Sequence, residues 1–357
     1  MLRFHFIRLG LALVTLPSVL ALACATSASP GPTSAPPPPA STAAAAPTAG
    51  ARRPATERLT FQLPWKAGGT YSPFYLALKK GYYAEQGLEV DIVEGQGSAP
   101  TAQIVAAGSA PVGFVEGSVL IQSVSEELPI KGVAGIMQRN PASIIVPRSS
   151  GITTPKDLEG KKIAASPGAA PTVVLEPWLK ANGVDTTTVE IVSTSPQTLL
   201  TVLLQGRVDA VCAFYSDNVP VLQARGLDAS YILYADYGMN IPSGTIIANN
   251  TFAREKPDTV RRFVAAALRG VAEAQRDPAA SVAGVADLAT ALDAPLETAA
   301  LANVLSLLHT ERTRGKPLGW IAKEDWEDGI DIMAEHAGLK NKPNVDDVIT
   351  NEFVPEQ

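Results

Sequence analysis

From residue 59 to about residue 250, short runs rich in Val and Ile alternate with stretches whose apolar positions recur every three or four residues. The runs LTFQL, EVDIV, VGFV, ASIIV, KKIAAS, EIVSTS, VDAVCAF, YILYA and GTIIA, bounded by Gly, Pro or Ser, predict short buried strands. Between them SPFYLALKKGYYAEQG, SAPTAQIVAAGS, GSVLIQSVSEE, AAPTVVLEPWLKANG, SPQTLLTVLLQG and NVPVLQARG predict helices, several ending on a glycine that suits a left-handed cap. Such alternation predicts parallel sheets covered by helices. After Lys256 the pattern changes, and PDTVRRFVAAALRGVAEAQRD, ETAALANVLSLLH and KEDWEDGIDIMAEHAG predict three helices with no strands between them. His309 and His336 are isolated on this stretch and read as surface or core filler. Trp178, Trp320 and Trp326, at helical spacing among apolar residues, read as core.

The run VPRSSGITTPKDLEGKKIAAS marks a boundary. Arg148 to Gly151 form a polar connector, Thr153 caps a short helix, and a fresh strand follows at Lys161, as a second α/β lobe would begin. The return falls near Asp236 to Ser243, where YGMNIPSG interrupts the pattern. The expected organisation is therefore one lobe of residues 57–146 with 239–357, a second of 147–238, and a cleft between them. Ligands of open α/β sheets bind beyond the carboxyl ends of strands.

The amino-terminal segment says where such a protein works. Arg3 and Arg8 precede an apolar run from Leu9 to Leu22, and the small residues of LALACAT lead to Cys24. Charge, apolar core and small residues before a cysteine describe a secretory signal of the lipoprotein kind, residues 1–23, with Cys24 the lipidated first residue of the mature chain. At ~1.5 Å per residue the apolar run is too short to span a bilayer. Residues 24–56 are almost entirely Ala, Ser, Thr, Pro and Gly and cannot offset their ordering entropy, which predicts a disordered tether reaching about 100 Å from the membrane. The expected location is extracytoplasmic, in the periplasm or on the cell surface.

Charge and cysteine content exclude other classes. The formal charge of −6 becomes −8 once the signal with its two arginines is removed. No basic stripe remains for nucleic acid. Cys212 is the one cysteine beyond the anchor, so no internal disulfide, cysteine-based metal site or metal cofactor is expected. About 300 residues suit two lobes better than one small core.

Candidate binding residues follow from the strand ends. The loop after the first strand carries Trp65, Lys66, Tyr71 and Ser72, with Phe74 expected to pack and Tyr75 to open the next helix. Trp65 and Tyr71 sit where aromatic rings stack on a planar ligand. GQGSAP and SPGAAP each lead from a strand into a helix. There Ser98 and Ser166 would be hydroxyl partners, and Gly97 and Gly168 would allow close backbone approach to acceptor-rich groups at the helix ends. Glu116 and Ser118 follow VGFV, and Phe214, Tyr215, Asp217 and Asn218 follow VDAVCA. No catalytic residue stands out.

The segments LPWKAGGTYSPFYLALKKGYYAEQGLEVDIVEGQGS, QIVAAGSAPVGFVEGS, TTPKDLEGKKIAAS and LLQGRVDAVCAFYSDN, in this order, resemble the extracytoplasmic solute-binding proteins that take thiamine-precursor pyrimidines, riboflavin, sulfonates such as taurine, and nitrate. The pyrimidine synthases of thiamine biosynthesis resemble them too. This resemblance implies a two-lobed periplasmic-binding-protein fold of type II, a monomer serving the membrane permease of an importer of the ATP-binding-cassette (ABC) type. In its heterocycle-binding members a carboxylate near the position of Asp217 and Asn218 accepts from ring amino groups. The first loop departs from those members, reading WKAGG where they carry a Pro-Asn pair.

Four functions compete. A receptor for a small planar heterocycle is favoured by the aromatics and Asp217, because a buried carboxylate beside an anion costs several kcal/mol. A sulfonate or nitrate receptor is favoured by Lys66 and the two helix ends. A synthase would carry the cysteine-rich iron-site motif of those enzymes, which this chain lacks. A sensor feeding a kinase would need a transmembrane or signalling segment, and none is present.

Overall fold

A computed structural model describes residues 56–287 and 292–356. The export signal, Cys24 and all but the last residue of the expected tether lie outside them. Within them, no helix is long and apolar enough to cross a membrane. Ten strands form two five-stranded sheets. The first contains β1 (Glu57–Gln62), β2 (Leu88–Val93), β3 (Val112–Val115), β4 (Ile130–Gly135) and β10 (Thr245–Asn249), in the order β2-β1-β3-β10-β4. The second contains β5 (Ala142–Pro147), β6 (Lys162–Ala165), β7 (Glu190–Ser193), β8 (Ala210–Phe214) and β9 (Ala229–Leu233), in the order β7-β6-β8-β5-β9.

The nine strands read from Val and Ile runs all form. β4 was not among them, because IKGVAG holds two glycines and an alanine. The sheets are also mixed rather than parallel. β1, β2 and β3 run together, as do β6, β7 and β8, but β10 is antiparallel to β3 and β4, and β5 is antiparallel to β8 and β9. The cause lies in the connectivity. β5 and β10 each enter a sheet from the other lobe, and so run against its native strands. The first crossing accordingly lies at residues 136–141, before β5, and Ala142–Pro147 belongs to the second sheet.

Aromatic packing fixes helices to each sheet. Phe61 meets Phe74 at 5.1 Å and Phe263 at 5.0 Å between ring centres, joining the first sheet to the helices Ser72–Lys79 and Pro257–Arg276. In the second lobe Trp178 stacks on Tyr234 with centres 4.3 Å apart. Trp178 and Trp326 are fully buried. Trp320 differs from the expectation: it lies half-buried in a loop, under the Lys316 ammonium. The short helix Pro155–Leu158 is capped by Thr154 rather than Thr153, with the Asp157 carboxylate accepting from both backbone amides.

The two crossings run side by side and bond to each other. The Ile136 and Met137 amides donate to Gly244 O at 2.9 Å, and the Ser243 amide donates to Met137 O at 2.8 Å. Asn140 N–H donates to Asn240 Oδ1 at 2.8 Å, while Asn240 Nδ2 donates to Gln138 O at 3.2 Å. Arg139 pairs with Asp236 beside them.

Candidate ligand-binding cleft

Two chambers, each of ≈ 520 Å³, open between the sheets and meet along Ser98 and Glu116, which line both. Their walls come from strand-end loops of both lobes. The loop after β1 brings Trp65, Lys66 and Tyr71 to the first chamber, where they meet Gly97, Phe214 and Asp217. The second chamber takes Ser118 from one lobe and Gly168 from the other. Trp65 is 58% exposed, so its ring is available to a ligand rather than packed in the core.

Four expected residues, Ser72, Ser166, Tyr215 and Asn218, line neither chamber. The helix read as NVPVLQARG starts three residues sooner, at Tyr215, whereas Ser72 opens its helix where the pattern placed it. The Ser72 hydroxyl is buried, donating to Gly69 O at 2.9 Å and lying 2.8 Å from Ser281 Oγ. The Asn218 amide turns back to Phe214 O at 2.8 Å. Tyr215 stacks on Tyr231, ring centres 4.2 Å apart, with its hydroxyl 3.1 Å from Ser306 Oγ. Ser166 is buried with its hydroxyl unpartnered. Phe74 and Tyr75 are core residues.

The pattern missed Glu297, Val304 and Thr70. The helix Ala294–Leu305 carries Glu297 and Val304 into the first chamber. Nothing local in ETAALANVL distinguishes it from a packing helix. Its Glu297 carboxylate accepts the Gly69 amide at 2.5 Å, and a side chain at Gly69 would place Cβ 2.2 Å from Glu297 O, so only glycine allows this approach. The same helix reaches the second lobe, where Asn303 Nδ2 donates to Ser216 O at 3.0 Å.

The electrostatics of the first chamber are acidic. Glu116, Asp217 and Glu297 line it, and Lys66 is the one cationic side chain on either chamber among the described residues. Enclosure raises the Glu116 carboxyl above its ordinary 4.5, partly offset by the Ser243 hydroxyl that donates to it, and Asp217 adds to the rise. Asp217 is also raised, above its ordinary 3.8. Its side chain meets cleft water, but the surrounding walls thin the solvent, and Glu297 adds to the effect. Hydroxyls from Ser216 at 3.1 Å and Thr70 at 3.3 Å donate to Asp217 and oppose the shift. The Tyr71 hydroxyl is pushed upward by its enclosure and then by Glu116 and Asp217, so it remains a donor. Ser98 Oγ accepts the Glu116 amide at 3.2 Å, and SPGAAP leads only into a four-residue turn of helix, Ala170–Val173.

Two mixed α/β lobes joined by paired crossings, with a cleft walled by strand-end loops, constitute the fold of a periplasmic binding protein. The alkanesulfonate-binding protein SsuA of Xanthomonas axonopodis bound to MOPS superposes with a TM-score of 0.61 at 17% identity, over 84% of this chain and 99% of that one. The chain belongs to the NMT1/THI5-like family, whose model matches residues 69–281. The riboflavin-binding protein RibY of Chloroflexus aurantiacus is 28% identical over 377 residues, 99% of each chain. A formylaminopyrimidine-binding protein of Halalkalibacterium halodurans is 26% identical, over 83% of this chain and 91% of its own.

Proposed function

We propose that this chain is the extracytoplasmic, lipid-anchored solute-binding protein of an ABC-type importer, and that it captures a small planar, amine-bearing heterocycle of the thiamine-precursor pyrimidine or riboflavin-like kind. The carrying observation is the first chamber. Exposed Trp65 and the Tyr71 donor face carboxyls from three separate elements, a set suited to stacking a ring and accepting from its amino groups. A sulfonate or nitrate would meet three acids and a single lysine there. The names of the two relatives support the same reading. A cysteine-based chemistry fits less well, since the Cys212 thiol is buried against Tyr234 and burial pushes it up to about 11.

Calorimetry of the purified protein against formylaminopyrimidine, riboflavin and taurine tests the proposal. Heat from a heterocycle at micromolar concentration with none from taurine is the expected outcome, and tight binding of taurine alone would overturn it. Trp65→Ala should weaken the heterocycle by about 1–3 kcal/mol if the ring stacks, and ligand should alter Trp65 fluorescence in the parent protein. Unchanged calorimetric affinity would place Trp65 in the scaffold.

The raised carboxyls set a pH dependence. An amine-bearing ligand needs Glu116 and Asp217 ionised, so binding releases protons and affinity should fall as pH drops through their raised values toward the ordinary 4.5 and 3.8. In the unliganded fold the sign reverses. A carboxyl raised above its unfolded value adds stability as pH falls through the raised value, down to the ordinary 4.5 and 3.8. Groups held low then lose theirs, as Asp157 does under the amides of Thr153 and Thr154. Thermal unfolding with and without formylaminopyrimidine should therefore show a ligand increment that shrinks on acidification. An increment independent of pH would mean that the acids do not face the ligand.

A further inference from the structure

We propose that the ligand has two parts, and that an apolar arm leaves the amine-bearing ring at Ser98 and Glu116 to fill the second chamber. This rests on the first chamber holding the ring. A single-ring heterocycle needs only one chamber, since each reaches the volume of a whole small-molecule site. Yet the second chamber shares Ser98 and Glu116 with the first, so a ligand seated on Glu116 borders both. Its walls carry a broad apolar face, with polar side chains such as Ser118 and Gln103 beside it: Val119, Leu128, Val174, Met239, Ile241 and Met333 come from both lobes and from the crossing between them. Two of these are methionines, whose flexible thioethers adapt to chains of variable shape. The charged residues on it are Glu116, at the junction, and Glu126, which pairs with Gln122 Nε2. A sulfonate or phosphate tail would find no cation there.

The test uses 4-amino-5-aminomethyl-2-methylpyrimidine and its derivatives carrying n-alkyl groups, methyl to hexyl, on the aminomethyl nitrogen. Calorimetry with the purified protein should show affinity rising about fourfold per methylene as the arm enters the chamber. Bulk placed in the chamber should flatten the series. Ala99 and Ala170 line it from opposite lobes and neither is core. In Ala99→Trp, and separately in Ala170→Trp should one variant fail to fold, the hexyl compound should lose at least about tenfold more affinity than the parent pyrimidine. A flat or falling series with the parent still bound overturns the arm while leaving the ring site intact. Equal losses for hexyl and parent in the filled variants overturn it as well. Absence of binding by every member, the parent included, overturns the ring site and the arm together.

Discussion

Replacing Asp217 with asparagine should weaken formylaminopyrimidine by about 10- to 100-fold, the loss of one charge-assisted acceptor in an enclosed site. The side chain keeps its shape; the Thr70 and Ser216 hydroxyls now donate to different carboxylate oxygens, and in asparagine one of them keeps an oxygen acceptor while the other can rotate to accept from the amide NH2. The fold should therefore persist, and the change should appear in calorimetry rather than in melting temperature. For a sulfonate the sign is opposite. Removing a negative charge from a chamber that also holds Glu116 and Glu297 lowers repulsion, so affinity for an anion should rise. The direction of the change separates the two solute classes in one variant.

A second large effect is expected at Gly117, between Glu116 and Ser118 of the cleft, through the backbone rather than through a ligand contact. Gly117 opens the helix after β3, and its amide donates to Ser243 O in the returning crossing at 2.8 Å. A Cβ there would lie 2.0 Å from Pro242 O and 3.2 Å from Trp326. Gly117→Ala must push the crossing away from the helix, at a cost of about 1–3 kcal/mol. It should also disturb Glu116, whose carboxyl takes the Ser243 hydroxyl. Denaturant unfolding should show the destabilisation and calorimetry a loss of affinity. A variant as stable as the parent would mean that the crossing shifts freely, and that the hydrogen bonds along it do little to hold the lobes.

The strands were legible where burial on both faces selects Val and Ile, as in β5 with Ile144, Ile145 and Val146. β4 was not. Gly132 sits where an added Cβ would lie 3.0 Å from both Ile349 and Leu120, so close packing there selects against the apolar bulk that marks a strand. Strand direction was illegible for a different reason. A buried strand has the same composition whichever way it runs, and the reversal of β5 and β10 comes from connectivity alone. Within the cleft, Trp65, Tyr71, Ser98, Glu116 and Asp217 were found because strand ends announce them. Glu297 lies on a helix about 230 residues after the loop it bonds, and only the folded chain brings it to Gly69. Ser72, Tyr215 and Asn218 sit at the right places in sequence, but the Ser72 hydroxyl is taken by Gly69 O and Ser281, and an early helix start turns Tyr215 and Asn218 into the core or the helix.

The place of β10 between β3 and β4 governs the order in which the protein can be made. Residues 142–233 supply the whole second sheet and can assemble as they emerge. The first sheet cannot. Until Thr245–Asn249 arrives, β3 has one open edge and β4 has no neighbour at all. Contacts across such separations form slowly, and an open edge invites pairing with other chains. A nascent chain therefore remains unfinished for its first 240 or so residues.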